Sequence, residues 1–271
     1  MKKEKKESKK IKIGKFSITI SDLVITILCV IFMIAVYTSP KVALIVTQKY
    51  NEGTQEENKN VQIAFGDKNT EENFKLYFWW YNILHEVGHG LIYYNSDKDF
   101  SGPEEEQLVN DFAYAYWNFY GGQENLDKLE PIINYAVEHV KNDENSDVNY
   151  MQYAQKNWEN ESFYTFNNYG YFQFNSVAET LENKKTLEEV LKEMGIENVE
   201  LSNGKELEYE IIDKETCDKI LYDAIDNVKE WGLEFPTTYH KYTPDPMYSY
   251  FQATNKFYYN IIMLLDKTLT D

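Results

Sequence analysis

Apolar and polar positions fall into two regimes along the chain. Residues 17–39 read SITISDLVITILCVIFMIAVYTS, an almost unbroken apolar run whose one charge is Asp22. About twenty such residues suffice for a helix to cross a hydrocarbon core of roughly 30 Å, so a transmembrane anchor is expected over residues 17–38. No small-residue cleavage site follows, because AVYTSPKV places Tyr37 and Pro40 where small residues are needed.

Beyond Pro40 the pattern becomes periodic. PKVALIVTQKY fits a helix or a strand equally well, and NVQIAFGD alternates as a strand does before the turn-rich GDKN. A helix is then expected from Asn69 or Thr70, with Glu71 and Glu72 in its first turn, through EENFKLYFWWYNILHEVGHGLIYY, with Gly88 and Gly90 as weak points. The next segment, SGPEEEQLVNDFAYAYWNFYGG, carries the most complete helix signals in the chain. Ser101 and Glu104 form a capping box, Pro103 suits the first turn, and Gly121–Gly122 supply the stop. Leu108, Phe112, Ala115 and Phe119 recur at helical spacing and should face the core.

Further helices are expected at PIINYAVEHVKN, DVNYMQYAQKNW, FNNYGYFQFNSVAETLEN and TLEEVLKEMGI, the last with its own capping box in Thr186 and Glu189. A small hairpin is expected around Ser202, Asn203 and Gly204, a helix from about Asp213 to Trp231, and a final helix from about Met247 to Thr268. No repeat or low-complexity linker interrupts the body. The expected fold class is therefore mainly α (α+β) with a small β component, preceded by one N-terminal transmembrane helix. The expected organisation is a basic tail over 1–16, the anchor over 17–38, and one domain over 39–271.

Charge sharpens this division. Residues 1–16 hold eight Lys against two Glu, whereas residues 39–271 hold 19 Lys against 42 acids, in a chain of net charge −18. A basic flank is the positive-inside signal, so the N-terminus is expected in the cytoplasm and the body outside it, as a single-pass membrane protein. The acidic body makes nucleic acid an unsuitable partner. Of the two cysteines, Cys29 sits in the apolar run and Cys217 in the body, so a disulfide between them is not expected, and Cys217 reads as a small apolar helix residue.

One stretch carries chemistry: NILHEVGHGLIYYNS, residues 82–96. On a helix, residues four apart share a face, so His85 and His89 can aim two imidazole nitrogens at one point. Zn2+ requires that arrangement, and a catalytic site adds one more protein ligand and keeps a position for water. Glu86 is then placed to serve as the general base. The third ligand is expected from the next helix, where PEEEQ offers Glu104, Glu105 and Glu106. Glu104 is explained by dipole compensation. Glu106 lies at the edge of the apolar stripe, where an acid needs a counter-charge, and Glu105 is the next candidate. His139 and His240 are not assigned to the site.

The pairing of HExxH (His85, Glu86, His89) with a downstream Glu-x-x-x-Asn-x-Phe-Ala (Glu106, Asn110, Phe112, Ala113) resembles the gluzincin-type zinc metallopeptidases, most closely the ImmA/IrrE-like bacterial metallopeptidases. The resemblance covers roughly residues 69–115, with Val109 where that family usually has Ala. It implies a zincin-like catalytic domain in which His85, His89 and Glu106 bind zinc, Glu86 is the base, and Asn110 orients a ligand. The expected function is a membrane-anchored extracytoplasmic zinc metallopeptidase acting on peptide or protein substrates. The alternative is a surface-anchored binding or scaffold module with a structural metal or none.

Overall fold

The computed structural model describes residues 10–13, 16–19, 30, 34, 39–144, 148–201, 209, 211–244 and 250–255. The chain divides into two compact units, one comprising Ala43–Ala253 and the other Met1–Val42 with Thr254–Asp271. In the second of these, β1 (Lys10–Ile13) and β2 (Phe16–Thr19) form an antiparallel pair in the register Lys10↔Thr19 to Ile13↔Phe16.

That pair corrects the reading of the N-terminal segment. Residues 16–19, where the anchor was to begin, are a strand, and among the described residues no helix is long and apolar enough to cross a membrane. Apart from Val30 and Ile34, residues 20–38 lie outside the described ones. The physical signal was the alternation KIKI and FSIT either side of the dipeptide Gly14–Lys15, a two-residue connection between period-2 segments. Total apolarity outweighed that alternation in the sequence reading, which split it between a basic tail and a membrane span.

The larger unit is helical around a three-stranded sheet of order β4–β3–β5, with β3 at Lys41–Gln48, β4 at Thr237–Thr243 and β5 at Tyr250–Asn255. PKVALIVTQKY resolves as strand because its β-branched run is buried on both faces, including Ala43, Ile45 and Val46. The expected strand NVQIAFGD is instead the end of α1 (Gln55–Phe65). Thr54 and Glu57 form a capping box there, and Val61, Ala64 and Phe65 are buried at i, i+3 and i+4. The final helix is also corrected, since residues 250–255 are strand β5. The rest of that segment and residues 202–208 of the expected hairpin lie outside the described residues.

The motif helix is built in three pieces: α2 (Thr70–Lys75), a π-helical segment (Leu76–Tyr81) and α3 (Asn82–Asn95). All six residues of LYFWWY are buried. Trp80 stacks on Trp117 with centroids 4.1 Å apart, while the Trp117 indole N–H donates to the Trp80 carbonyl at 3.1 Å.

Against α3 lies α4 (Gly102–Phe119), whose N-terminus is closed as expected: the Glu104 carboxylate accepts from the Ser101 N–H at 3.1 Å and its hydroxyl at 2.7 Å. Leu108, Phe112 and Ala115 are buried and Phe119 partly so. The two helices approach closely at Gly88, where an added Cβ would lie 2.9 Å from Val109 Cβ and 3.2 Å from Phe112 Cδ1. A Cβ on Gly90 would run into the Phe235 ring. These glycines are thus contact points between elements, whatever they cost the helix.

The remaining helices are α5 (Gln123–His139), α6 (Tyr150–Asn157), α7 (Phe166–Asn183), α8 (Leu187–Glu193) and α9 (Lys214–Glu230). α5 begins eight residues before Pro131 because Leu126, Leu129, Ile133 and Ala136 make one continuous buried stripe. α7 and α8 match the expected segments, and α9 is capped by Asp213 and stopped at Gly232, with φ +80°. Cys217 is buried and free, its thiol pushed up to about 12 by burial.

Gly88→Ala should lower Tm by a few degrees. Forcing open the α3–α4 contact costs about 1–3 kcal/mol against ~1 kcal/mol gained in helix propensity. Because the obstructing atoms belong to Val109, the Gly88→Ala/Val109→Ala double variant should be more stable than the two single losses sum to, as thermal denaturation of a double-mutant cycle would read.

Candidate metal centre

Three side chains converge where α3 meets α4. One ligand atom each from His85, His89 and Glu106 lies within 4.8 Å of the other two. His85 Nε2 is 3.3 Å from His89 Nε2 and 3.3 Å from Glu106 Oε2, and His89 Nε2 is 3.6 Å from Glu106 Oε1. Bonds of 2.0–2.1 Å at tetrahedral angles put neighbouring ligand atoms roughly 3.3–3.4 Å apart; the two histidine nitrogens stand at that spacing, each facing a different oxygen of the Glu106 carboxylate.

The outward nitrogens are held too. His85 Nδ1 donates to Asn110 Oδ1 at 2.8 Å, and His89 Nδ1 to Glu105 Oε1 at 2.7 Å. Asn110 is fully buried and its orientation is dictated by its neighbours: its Nδ2 donates to Ser176 Oγ at 2.8 Å and Gln173 Oε1 at 3.1 Å, leaving Oδ1 to accept. Tyr81 hydroxyl donates to the Asn110 carbonyl at 2.8 Å, tying the end of the π segment to α4. Both imidazoles therefore carry Nδ1–H: when neutral each presents its Nε2 lone pair inward, the tautomer a metal ligand needs, and when protonated in the metal-free protein each turns an Nε2–H and its charge toward Glu106.

Gln173, from α7, closes the cluster. Its Nε2 donates to Glu106 Oε2 and, at 2.8 Å, to the Tyr169 hydroxyl. Burial raises the Glu106 carboxyl, but the hydrogen bond to His85, the charges of both histidines and the Gln173 amide outweigh it and bring the carboxyl down to about 2. Burial lowers His89, but the Glu105 hydrogen bond and the charges of Glu106 and Glu105 leave it raised.

Glu86 is the exception. Its Oε1 accepts from Asn82 Nδ2 at 3.1 Å, while Oε2 is buried and has no hydrogen-bond partner among the described residues. Burial pushes its carboxyl up to about 8, with the charge of His85 opposing and that of Glu106 adding. A buried carboxylate oxygen without a donor is costly, and here it borders a cleft of about 240 Å³ lined also by His85, His89, Glu106, Tyr169 and Phe251. A wider groove of about 1050 Å³, bordered by Lys75, Leu76, Ile132 and Ile212, contains none of these three ligands.

The five residues named from sequence are thus gathered at one place. Glu105 is a positioning residue for His89, bonded to the nitrogen that faces away from the cluster. Gln173, Ser176 and Tyr169 were not foreseen, since they lie more than sixty residues downstream with no spacing that links them to HEVGH. Asn82 stands four residues before Glu86, and that i, i+4 relation was a readable signal. His240 is elsewhere, bonded to Thr47 at 2.8 Å and Asp218 at 2.5 Å, and His139 Nδ1 donates to the Tyr135 carbonyl at 2.8 Å.

No family model matches the chain, and no curated protein or solved structure does. The chemistry of the centre accordingly rests on its own residues.

If the cluster holds a divalent ion, Asn110→Ala and Glu105→Ala should each weaken its binding by about 10–100-fold in a chelator competition titration, and Glu105→Gln, which keeps an acceptor, by less. Glu86 gives a pH signature in metal-free protein. Its folded pKa of about 8 lies above the ordinary 4.5, so between those values unfolding releases a proton and stability falls as pH rises. Metal-free Glu86→Gln should be more stable than the parent by roughly 3 kcal/mol at pH 7, with the difference vanishing below about pH 4.5, in urea unfolding at both pH values.

Proposed function

We propose that this chain is a zinc-dependent peptidase. The single observation that supports it most is the convergence of His85, His89 and Glu106 beside a buried Glu86 oxygen that has no partner among the described residues. A divalent ion held by those three side chains would acidify water and polarise a substrate carbonyl. The sequence pattern HExxH with Glu-x-x-x-Asn, similar to the gluzincin-type ImmA/IrrE-like metallopeptidases, points to the same chemistry.

Each residue has a definite task in this reading. Glu86 Oε2 takes a proton from the attacking water and delivers it to the leaving amine. Burial holds its carboxyl high, and positive charge in the cluster favours the carboxylate that a base must be. Asn82 fixes the other oxygen and so aims the free one. Asn110 and Glu105 keep both imidazoles in the ligating tautomer, and Gln173 steadies the Glu106 carboxylate.

The alternative, a binding module with a structural metal, calls for a fourth protein ligand that closes the shell. The metal-competent group among the described residues has three members, and the cleft beside it is open to a substrate. The acidic composition of the chain favours basic or neutral peptides as partners over nucleic acid.

Glu86→Gln should retain zinc at the parent's stoichiometry by elemental mass spectrometry while losing hydrolysis of an unstructured protein such as casein by about 10²–10⁴-fold. His85→Ala should lose both. A zinc-loaded Glu86→Gln protein as active as the parent would refute the assignment.

A further inference from the structure

A third cavity adjoins the cleft through the neighbouring rings of Tyr164 and Tyr169. It has a volume of about 320 Å³, within the range of side-chain and small-ligand pockets. Its apolar wall consists of Val61 and Phe65 from α1, Phe78 from the π segment and Phe174 from α7, all buried. Those rings already pack on one another, with Phe65–Phe78 centroids 6.0 Å apart and Phe65–Phe174 5.9 Å, so the wall is preformed.

The polar lining has one sign. Glu56, Glu57, Asn60 and Gln48 border the cavity, and among the described residues no Lys does. Glu57 is committed to the Thr54 capping box, but Glu56 is exposed, in the first turn of α1 and outside that box. Gln48 is 4 % exposed, and its side-chain amide bonds to no described residue, although its backbone carbonyl accepts from the Trp79 indole at 3.0 Å. An amide on a pocket wall with no partner among the described residues can pair with a ligand there.

Two tyrosines join this cavity to the cleft. Tyr164 lines the cavity, and its ring lies 5.8 Å from that of Tyr169, which lines the cleft with His85 and Glu106. The Tyr164 hydroxyl also feels the Glu106 carboxylate, one of the charges that raise its pKa after burial and Glu159. Gly170, next to Tyr169 in sequence, is part of the cavity wall. An extended peptide advances roughly 3.3–3.6 Å per residue, so the 5.8 Å step from the Tyr169 ring to the Tyr164 ring corresponds to about two residues of a bound chain.

We propose that the cavity is the specificity pocket for a basic side chain, Lys or Arg, of the peptide substrate. The proposal rests on the peptidase reading for its setting but has its own physical basis. A long side chain with an apolar stem and a cationic head places the stem against Phe65, Phe78 and Phe174 and the head among Glu56, Gln48 and Asn60. A purely apolar side chain would leave the Gln48 amide unpaired, and an acidic one would meet Glu56 and Glu57. The net charge of −18 adds attraction for basic peptides at longer range.

The test uses the full zinc-loaded chain and a set of quenched fluorescent peptides that are alike except for Lys, Arg, Leu, Phe or Glu at each position in turn. Cleavage should favour Lys and Arg at one position by about tenfold or more over Leu and Phe, and Glu56→Lys should abolish that preference while zinc content stays at the parent level. Asn60→Trp, which fills the rim, should reduce cleavage of the Lys peptide more than that of a Gly peptide. Equal cleavage of the Lys and Leu series, or a Phe preference insensitive to Glu56→Lys, overturns the pocket assignment and leaves the peptidase reading standing.

Binding separates the two ideas from the other side. Acetyl-Ala-Lys-Ala-amide should bind the full chain at least about tenfold more tightly than its Leu counterpart in calorimetry, with an advantage that shrinks in high salt and in Glu56→Lys. If no peptide is hydrolysed by zinc-loaded protein, the peptidase reading fails. The same calorimetry then decides the pocket: equal Lys and Leu binding overturns it, and a Lys advantage lost in Glu56→Lys upholds it as a cation-binding site.

Discussion

The close packing of α3 on α4 is the constraint on which the rest depends. At Gly88 the absence of a side chain lets Val109 and Phe112 sit against the helix backbone, and that spacing brings Glu106 within 3.3 Å of His85. The glycine has a cost in helix propensity of up to ~1 kcal/mol, which the burial of Leu84, Val87, Leu91, Val109 and Phe112 readily offsets. Helix strength was given up at one position for an interhelical distance at which His85, His89 and Glu106 meet.

Around this contact the polar groups form a chain of mutual dictation. Ser176 and Gln173 fix which way the Asn110 amide points, Asn110 fixes the His85 tautomer, and Gln107 accepts from Ser176 Oγ at 2.8 Å to anchor the outer end. Every amide orientation follows from the one before it. Such a network stabilises a single arrangement because any reversed member leaves a buried donor facing a donor. Glu86 Oε2 lies outside that satisfaction, and an unsatisfied buried oxygen at the edge of an ordered network is the kind of local conflict expected at a functional site.

One helix also ties the cavity to the cleft beside His85, His89 and Glu106. α7 contributes Gln173 as a donor to Glu106, Tyr169 to the cleft and Phe174 to the cavity wall, so one helix sets the distance between them. The π segment contributes Tyr81 on one side and Phe78 on the other. Widened helical turns of this kind commonly occur near functional sites, since they re-aim successive side chains without breaking the helix.

Much of the helical framework was legible in the sequence because its signals are local. Ser101 with Glu104 and Thr186 with Glu189 close helix ends through bonds that span three residues, and His85 with His89 share a face by helical geometry alone. Glu106 could be singled out because it sits at the edge of the apolar stripe on a capped helix, and Asn110 because Glu-x-x-x-Asn resembles the gluzincin-type pattern. Where two local signals competed, the reading failed: apolarity outweighed the KIKI and FSIT alternation at β1–β2, and NVQIAFGD looked like a strand although Thr54 and Glu57 cap a helix through it. What only the tertiary structure decided was which distant side chains meet. Gln173 reaching Glu106, Glu105 turning to the far nitrogen of His89, and three phenylalanines from separate elements forming one wall follow from packing across tens of residues, and no periodicity within a segment encodes such a meeting.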